Sequence, residues 1–195
     1  MFSEEHIVFN DARSKSLIFV AHCILNQNAI SDGTADFPGH VNDILSLLNA
    51  SDVGIVQMPC PELHCLGLDR GNVHGGASPV VQENTRIRRM LSRDASLLKI
   101  EQLVQHVLVQ ILEYRKHGFE IVGIVGMNRS PSCGVDTTSK EDQEVSGQGV
   151  FVEALCAELD RQGIDIDMVG IKGSEIDEAV AAIGRLLRVG SQHAL

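Results

Sequence analysis

Ile121-Val122-Gly123-Ile124-Val125-Gly126, followed shortly by Ser130-Pro131-Ser132-Cys133-Gly134, decides how this chain folds. The apolar run reads as a strand buried on both faces, the pattern of a parallel-sheet interior. The polar, turn-forming residues after it place one thiol at the strand's carboxyl edge. Ligands bind at that edge in open parallel sheets.

Two more apolar runs end at a cysteine. Leu17-Ile18-Phe19-Val20-Ala21 leads into His22-Cys23, and Val53-Gly54-Ile55-Val56-Gln57-Met58 leads into Pro59-Cys60-Pro61-Glu62. If the three strands are neighbours, their thiols converge. That convergence carries more weight than the spacing of any single cysteine.

Outward from these runs, strand and helix patterns alternate. Phe37-Pro38-Gly39 punctuates the chain ahead of a helix whose apolar residues are Val41, Ile44, Leu45, Leu47 and Leu48. Residues 82–91 suit a short basic helix carrying Arg86, Arg88 and Arg89, read either as a solvated face or as a patch for an anionic substrate. The longest helix is expected over 95–117, with an apolar stripe at Leu97, Ile100, Val104, Val107, Leu108 and Ile111. Gly118 suits its C-terminal cap. A further helix over 149–162, a fourth strand over 164–171 and a last helix follow. Ser174 and Asp177 suggest a weak capping box for that last helix. Residues 63–79 and 128–147 read as long loops at the site, the second able to fold over it as a lid. The pattern predicts a three-layer α/β fold: a mostly parallel sheet of four or more strands with helices on both faces. All 195 residues suit a single domain, with 1–15 extended ahead of the first strand.

Composition narrows the function classes. The formal net charge of -10 argues against a nucleic-acid polymer or an anionic membrane as partner. No apolar run is long enough to span a bilayer, and the first residues lack a signal-peptide hydrophobic region. A cytoplasmic location is the expectation. The chain has 5 cysteines, an odd count. Cys156 sits in a helical apolar pattern and reads as core. The other four are flanked by Pro, Gly, Asn and Ser, unlike plain core positions.

Three convergent thiols suit several chemistries. A closed zinc site needs a fourth ligand, which Cys65, His22 or His64 could supply. A 4Fe-4S cluster held by three cysteines keeps one iron open as a Lewis acid. Thiol redox chemistry lacks a Cys-x-x-Cys motif here.

The run Cys23-Ile24-Leu25 with Asp32-Gly33, then Cys60-Pro61-Glu62, then Ser130-Pro131-Ser132-Cys133-Gly134, resembles the thiouracil desulfidase family. Gly147-Gln148-Gly149-Val150-Phe151, Leu155 and Gly163-Ile164 also look like that family's closing segment. The chain departs from the family's usual pattern in three places: Ile30-Ser31 stand before Asp32-Gly33, where Arg-Tyr is common, Cys65 stands where a glycine is usual, and the middle segment up to the long helix is unlike the typical one. The resemblance implies a 4Fe-4S cluster held by Cys23, Cys60 and Cys133, and a small thiolated nucleobase or similar thiocarbonyl compound as substrate. It carries the family's acids and serine onto Glu62, Asp32 and Ser130. The expected reaction is non-redox: sulfur binds the open iron, Glu62 or Asp32 takes a proton from water, and the water attacks the carbon.

Each residue also has a plainer role available. Glu62 could cap a helix N-terminus, Asp32 and Ser130 could serve as turn residues, and Cys65 could be a bystander. Two other function classes remain in view. One is a non-catalytic iron–sulfur or zinc carrier or sensor. The other is a metal-free enzyme with a cysteine nucleophile.

Overall fold

The computed structural model describes residues 11–190; the expectation of an extended N-terminus falls, for residues 1–10, outside them. The chain begins with β1 (Ser16–Val20), a short helix α1 (His22–Leu25), a 3-10 turn (Gln27–Ala29) and α2 (Asn42–Asn49). Next come β2 (Gly54–Gln57), α3 (Pro61–Leu66), a 3-10 turn (Gly75–Ala77), α4 (Val80–Leu91) and α5 (Asp94–Lys116). The second half holds β3 (Glu120–Met127), β4 (Thr137–Lys140), β5 (Gln143–Ser146), α6 (Val150–Arg161), β6 (Met168–Ile171) and α7 (Ile176–Gly190).

Four strands form one parallel sheet in the order β2-β1-β3-β6. β1 and β3 are central and buried, as their apolar runs require. Right-handed crossovers then put α2 and α7 on one face and α5 and α6 on the other. This is the expected three-layer α/β architecture. Gly123 lets α7 lie directly on β3: a Cβ there would meet the Leu186 side chain at 2.5 Å. Ile18, Phe19, Ile124, Phe151 and Ile183 have no exposed surface and mark the core between the layers.

The chain leaves β1 toward β2 on one side, while β3 lies on the other. Strand order therefore reverses between β1 and β3, which opens a crevice at their carboxyl ends. Hydrogen bonding continues past the strand ends there. Ala21 N donates to Val125 O and Met58 N to Val20 O, both at 2.8 Å. The segments carrying Cys23 and Cys60 are thereby tied to the sheet.

Several expectations need correction. Residues 63–79 are not a continuous loop, because α3 runs to Leu66 and a 3-10 turn follows at Gly75–Ala77. The 128–147 stretch is not an irregular lid but carries the β4–β5 hairpin, turning at Glu141 and Asp142, both at positive φ. The hairpin is pinned to α4: Asp142 N donates to Thr85 Oγ1 at 2.9 Å, and Asn84 Nδ2 donates to Ser139 Oγ at 3.3 Å. The fourth parallel strand covers only Met168–Ile171. Leu97 is 46% exposed and lies off the buried stripe of α5. Ala179 N donates to Glu175 O, so Glu175 rather than Ser174 opens α7.

Candidate functional site

The loop after β3 folds back on its own strand. Met127 N donates to Cys133 O at 2.9 Å, and Ser130 N to Met127 O at 3.2 Å. The Ser130 hydroxyl accepts from the Cys133 N–H at 3.0 Å and the Ser132 N–H at 3.2 Å. Such a side-chain turn is what Ser-Pro-Ser favours. It requires close backbone approach on both sides. A Cβ at Gly126 would run into Cys133 O, and one at Gly149 into the Ser132 carbonyl.

Cys60 ends the β2 segment and caps α3. Pro61 occupies the first helical turn, and the Cys60 Sγ accepts from Leu63 N at 3.4 Å. Cys23 lies in α1 directly after β1. All three cysteines line one cavity of about 380 Å³. The same cavity is bordered by Glu62, Arg70, Ser130, Ser132 and His22. Cys60 and Cys133 are buried, and Cys23 keeps some accessible surface.

The thiols sense one another electrostatically. Burial, then neighbouring Cys60 and Glu62, pushes Cys23 up to about 12. Burial and then Glu62 push Cys60 up to about 11. Burial, with Cys60 and Cys23 next, raises Cys133 well above the ordinary thiol range. Burial is the first cause at all three; thiolate is the ligating form, so these sulfurs could hold a cationic group that favours their ionised state. Among the described residues no group of three or more His, Cys, Asp or Glu side chains is arranged to hold a metal ion. Soft sulfur donors of this kind suit an iron–sulfur cluster or a zinc ion. His22 Nε2 belongs to the same cavity wall and is buried without a hydrogen-bond partner. Burial, then His64 and Arg70, lowers its pKa.

Glu62 is the centre of the polar wall. It is 7% exposed, and each carboxylate oxygen accepts twice. Oε1 accepts from the Ser132 hydroxyl at 2.7 Å and the Ser130 hydroxyl at 3.3 Å. Oε2 accepts from the Ser31 hydroxyl at 3.1 Å and from Arg70 Nε at 3.1 Å. Its partners thus lie in other segments, and its orientation is not that of a residue capping its own helix.

The other sequence candidates fall in different places. Ser130 lines the cavity, as expected for a residue that touches a ligand. Asp32 does not: it is exposed, and the cavity is lined instead by its neighbours Ser31 and Gly33. Its turn packs on the Gly75–Ala77 segment, where a Cβ on Gly33 would meet Gly76 O at 3.2 Å. Cys65 faces α5, with its Sγ 3.7 Å from Ser96 O, and does not border the cavity, so it supplies no fourth ligand. Cys156 packs beside Met168. Arg86 pairs with Glu83, while Arg88 holds the Thr138 hydroxyl and Gln148 O, so these two arginines of α4 serve the fold. Arg70, Ser132 and Ser31 were missed from the sequence. Ser132 stands inside the Ser-Pro-Ser-Cys run and was within reach of motif reading. Arg70 carried no signal, because its approach depends on the whole 67–71 turn.

The chain matches no family model. It is 24% identical over 165 residues to an uncharacterized protein of Methanocaldococcus jannaschii, covering 85% of this chain and 91% of that protein. Among solved structures it is similar to a 4Fe-4S-dependent thiouracil desulfidase, TudS. The TM-score is 0.44 and the identity 20%, over 85% of this chain and 97% of that one. Among the described residues no helix is long and apolar enough to cross a membrane.

Proposed function

We propose that this protein is an iron–sulfur-dependent desulfidase that replaces the sulfur of a thiocarbonyl compound, such as a thiolated nucleobase, by oxygen. One observation carries the reading: Cys23, Cys60 and Cys133 share a cavity with a buried, fully oriented Glu62. The motif resemblance to thiouracil desulfidases points the same way. When bound by these three cysteines, a 4Fe-4S cluster supplies a soft open iron for the substrate's sulfur.

The chain's own residues handle water and protons. Ser130 borders the cavity and donates to Glu62 Oε1 at 3.3 Å, a long contact that an incoming water can shorten or replace. Glu62 accepts the proton of that water, directly or through the Ser130 hydroxyl, while the water oxygen attacks the thiocarbonyl carbon. The Arg70 guanidinium beside Oε2 holds the carboxylate in place. The Ser132 hydroxyl, 1% exposed, also fixes Oε1, donating at 2.7 Å. The C–S bond then breaks and sulfur leaves as hydrosulfide. Thiocarbonyl and water become carbonyl and hydrogen sulfide, with no electron transferred. Asp32 lies outside the cavity, so of the two acids the motifs single out the proton-accepting role goes to Glu62.

A carrier or sensor needs no buried acid held by four donors, and this favours the enzyme. A metal-free cysteine nucleophile needs a thiol of lowered pKa, whereas burial raises all three. The test is anaerobic reconstitution with iron and sulfide, then a screen of thiolated pyrimidines and thioamides with sulfide detection. Glu62→Gln should lower desulfidation by about 10²–10⁴-fold with iron content retained. Turnover that survives this change rules out the role given to Glu62. Absence of a cluster after reconstitution overturns the whole reading.

A further inference from the structure

We infer that Arg70 is a positioning residue that locks the proton acceptor Glu62 and the Cys60 sulfur into one rigid unit. This rests on the reading of Glu62 and Cys60 given above. Arg70 is 2% exposed, and a guanidinium has five N–H donors. All five are engaged. Nε donates to Glu62 Oε2 at 3.1 Å. Nη1 donates to Gly67 O and Leu68 O, both at 3.0 Å. Nη2 donates to Ala29 O and lies 3.9 Å from the Cys60 Sγ.

These acceptors come from three separate places: the turn after α1, the start of α3, and the turn that follows α3. One planar fork joins the segment after β1, which carries Cys23, to the segment after β2, which carries Cys60 and Glu62. The backbone of Arg70 is itself held in an unusual state. Its φ is 53°, in the left-handed region that side chains other than glycine rarely adopt. The Arg70 carbonyl accepts from Arg86 Nη2 at 2.7 Å, and Glu83 fixes Arg86 in turn. The strained turn is thus clamped from α4, as expected where geometry at a site is over-determined.

The arrangement does two things. It sets the angle at which Glu62 faces the cavity, so its loss should act on turnover rather than on substrate affinity. It also brings a positive charge and an N–H to one ligand sulfur, and hydrogen bonds to such sulfurs raise the reduction potential of a bound cluster. Lysine cannot replace it, because an ammonium presents three donors at a point rather than a planar fork.

The experiment compares wild type, Arg70→Lys and Arg70→Gln after anaerobic reconstitution. Iron and sulfide content, midpoint potential, kcat and KM are measured. The expected result is wild-type iron content, a potential displaced to more negative values in Arg70→Gln, and kcat lowered at least about tenfold with KM nearly unchanged. Unchanged potential together with unchanged kcat overturns the inference, as does a loss confined to KM.

If neither variant folds, the wild type and Glu62→Gln decide in the metal-free state. The Arg70 Nε–H should exchange slowly with solvent in wild type, read by ¹⁵N NMR, and faster in Glu62→Gln. Fast exchange in wild type overturns the inference. Potential and exchange need no substrate. If no thiocarbonyl is turned over while the potential shift and the slow exchange both hold, the proposed reaction falls, and what stands is that Arg70 joins Glu62 to the Cys60 sulfur.

Discussion

At the scale of the residue, the carboxylate of Glu62 is held by three serines and one arginine in nearly dry surroundings. The donors are unequal. Ser132, at 2.7 Å and 1% exposed, is the shortest and driest. Ser132→Ala removes a hydrogen bond to a charged acceptor and leaves that oxygen short of a donor. This should cost about 1–3 kcal/mol. For a domain of this size each kcal/mol is a drop of roughly 2–4 °C in melting temperature, read by circular dichroism on the metal-free protein. A melting temperature equal to wild type rules out that weight for the Ser132 bond. Ser130→Ala should act differently. Ser130 borders the cavity and its hydroxyl donates to Glu62 Oε1 at 3.3 Å, so turnover should fall more than stability, although the hydroxyl also holds the Cys133 N–H. Part of this was readable from the sequence, because Cys60-Pro61-Glu62 and Ser130-Pro131-Ser132-Cys133 each join a cavity cysteine to a polar neighbour within one turn. Arg70 and Ser31 were not readable. They reach Glu62 across folds of the backbone that no local pattern encodes, and the exposed Asp32 shows the opposite error of weighting a motif position too heavily.

At the scale of the element, helix α4 does more than its basic pattern suggests. Arg88 Nη1 donates to the Thr138 hydroxyl at 3.0 Å and to Gln148 O at 3.1 Å, tying the hairpin and the start of α6 to one side chain. Arg88→Met should leave these acceptors unpaired and speed amide exchange in residues 137–146, measured by hydrogen-exchange mass spectrometry, with α2 and α7 unaffected. Equal exchange in the variant would refute that tether. On the same helix Arg86, chiefly by hydrogen bonding and aided by Asn72, holds the Glu83 carboxyl below its ordinary value. A carboxyl depressed in the folded state adds stability that is complete above its unfolded value, 4.5, and is lost as pH falls through the lower folded value. Melting temperature should therefore drop with acid in that window more steeply in wild type than in Glu83→Gln. Parallel curves would show that the ion pair adds nothing. The periodic helices and the two central strands were legible because burial imposes their patterns. The hairpin was not: its turn residues, Glu141 and Asp142, lack the Asn-Gly signal, yet both adopt positive φ. α3 was legible only at its start, where Pro61-Glu62 suits a helix N-terminus, because six residues are too few to show a period.

At the scale of the whole molecule, the sheet order β2-β1-β3-β6 brings three sulfurs to one crevice. That order was the least legible feature, since strand pairing joins residues far apart in the chain and leaves no local trace. It sorts the cysteines into two classes. Cys23→Ser, Cys60→Ser and Cys133→Ser should each lower iron retained after reconstitution, whereas Cys65→Ser and Cys156→Ser should retain the wild-type amount, by iron assay per chain. Equal iron loss across both classes would mean binding elsewhere. The same arrangement has a consequence for biogenesis. Cys23 and Cys60 leave the ribosome well before Cys133, and β3 must insert beside β1 before all three can meet. A nascent chain stalled ahead of β3 presents only two of the partners. On the proposed function, delivery of the inorganic cofactor follows the emergence of Cys133 and the pairing of β3 with β1.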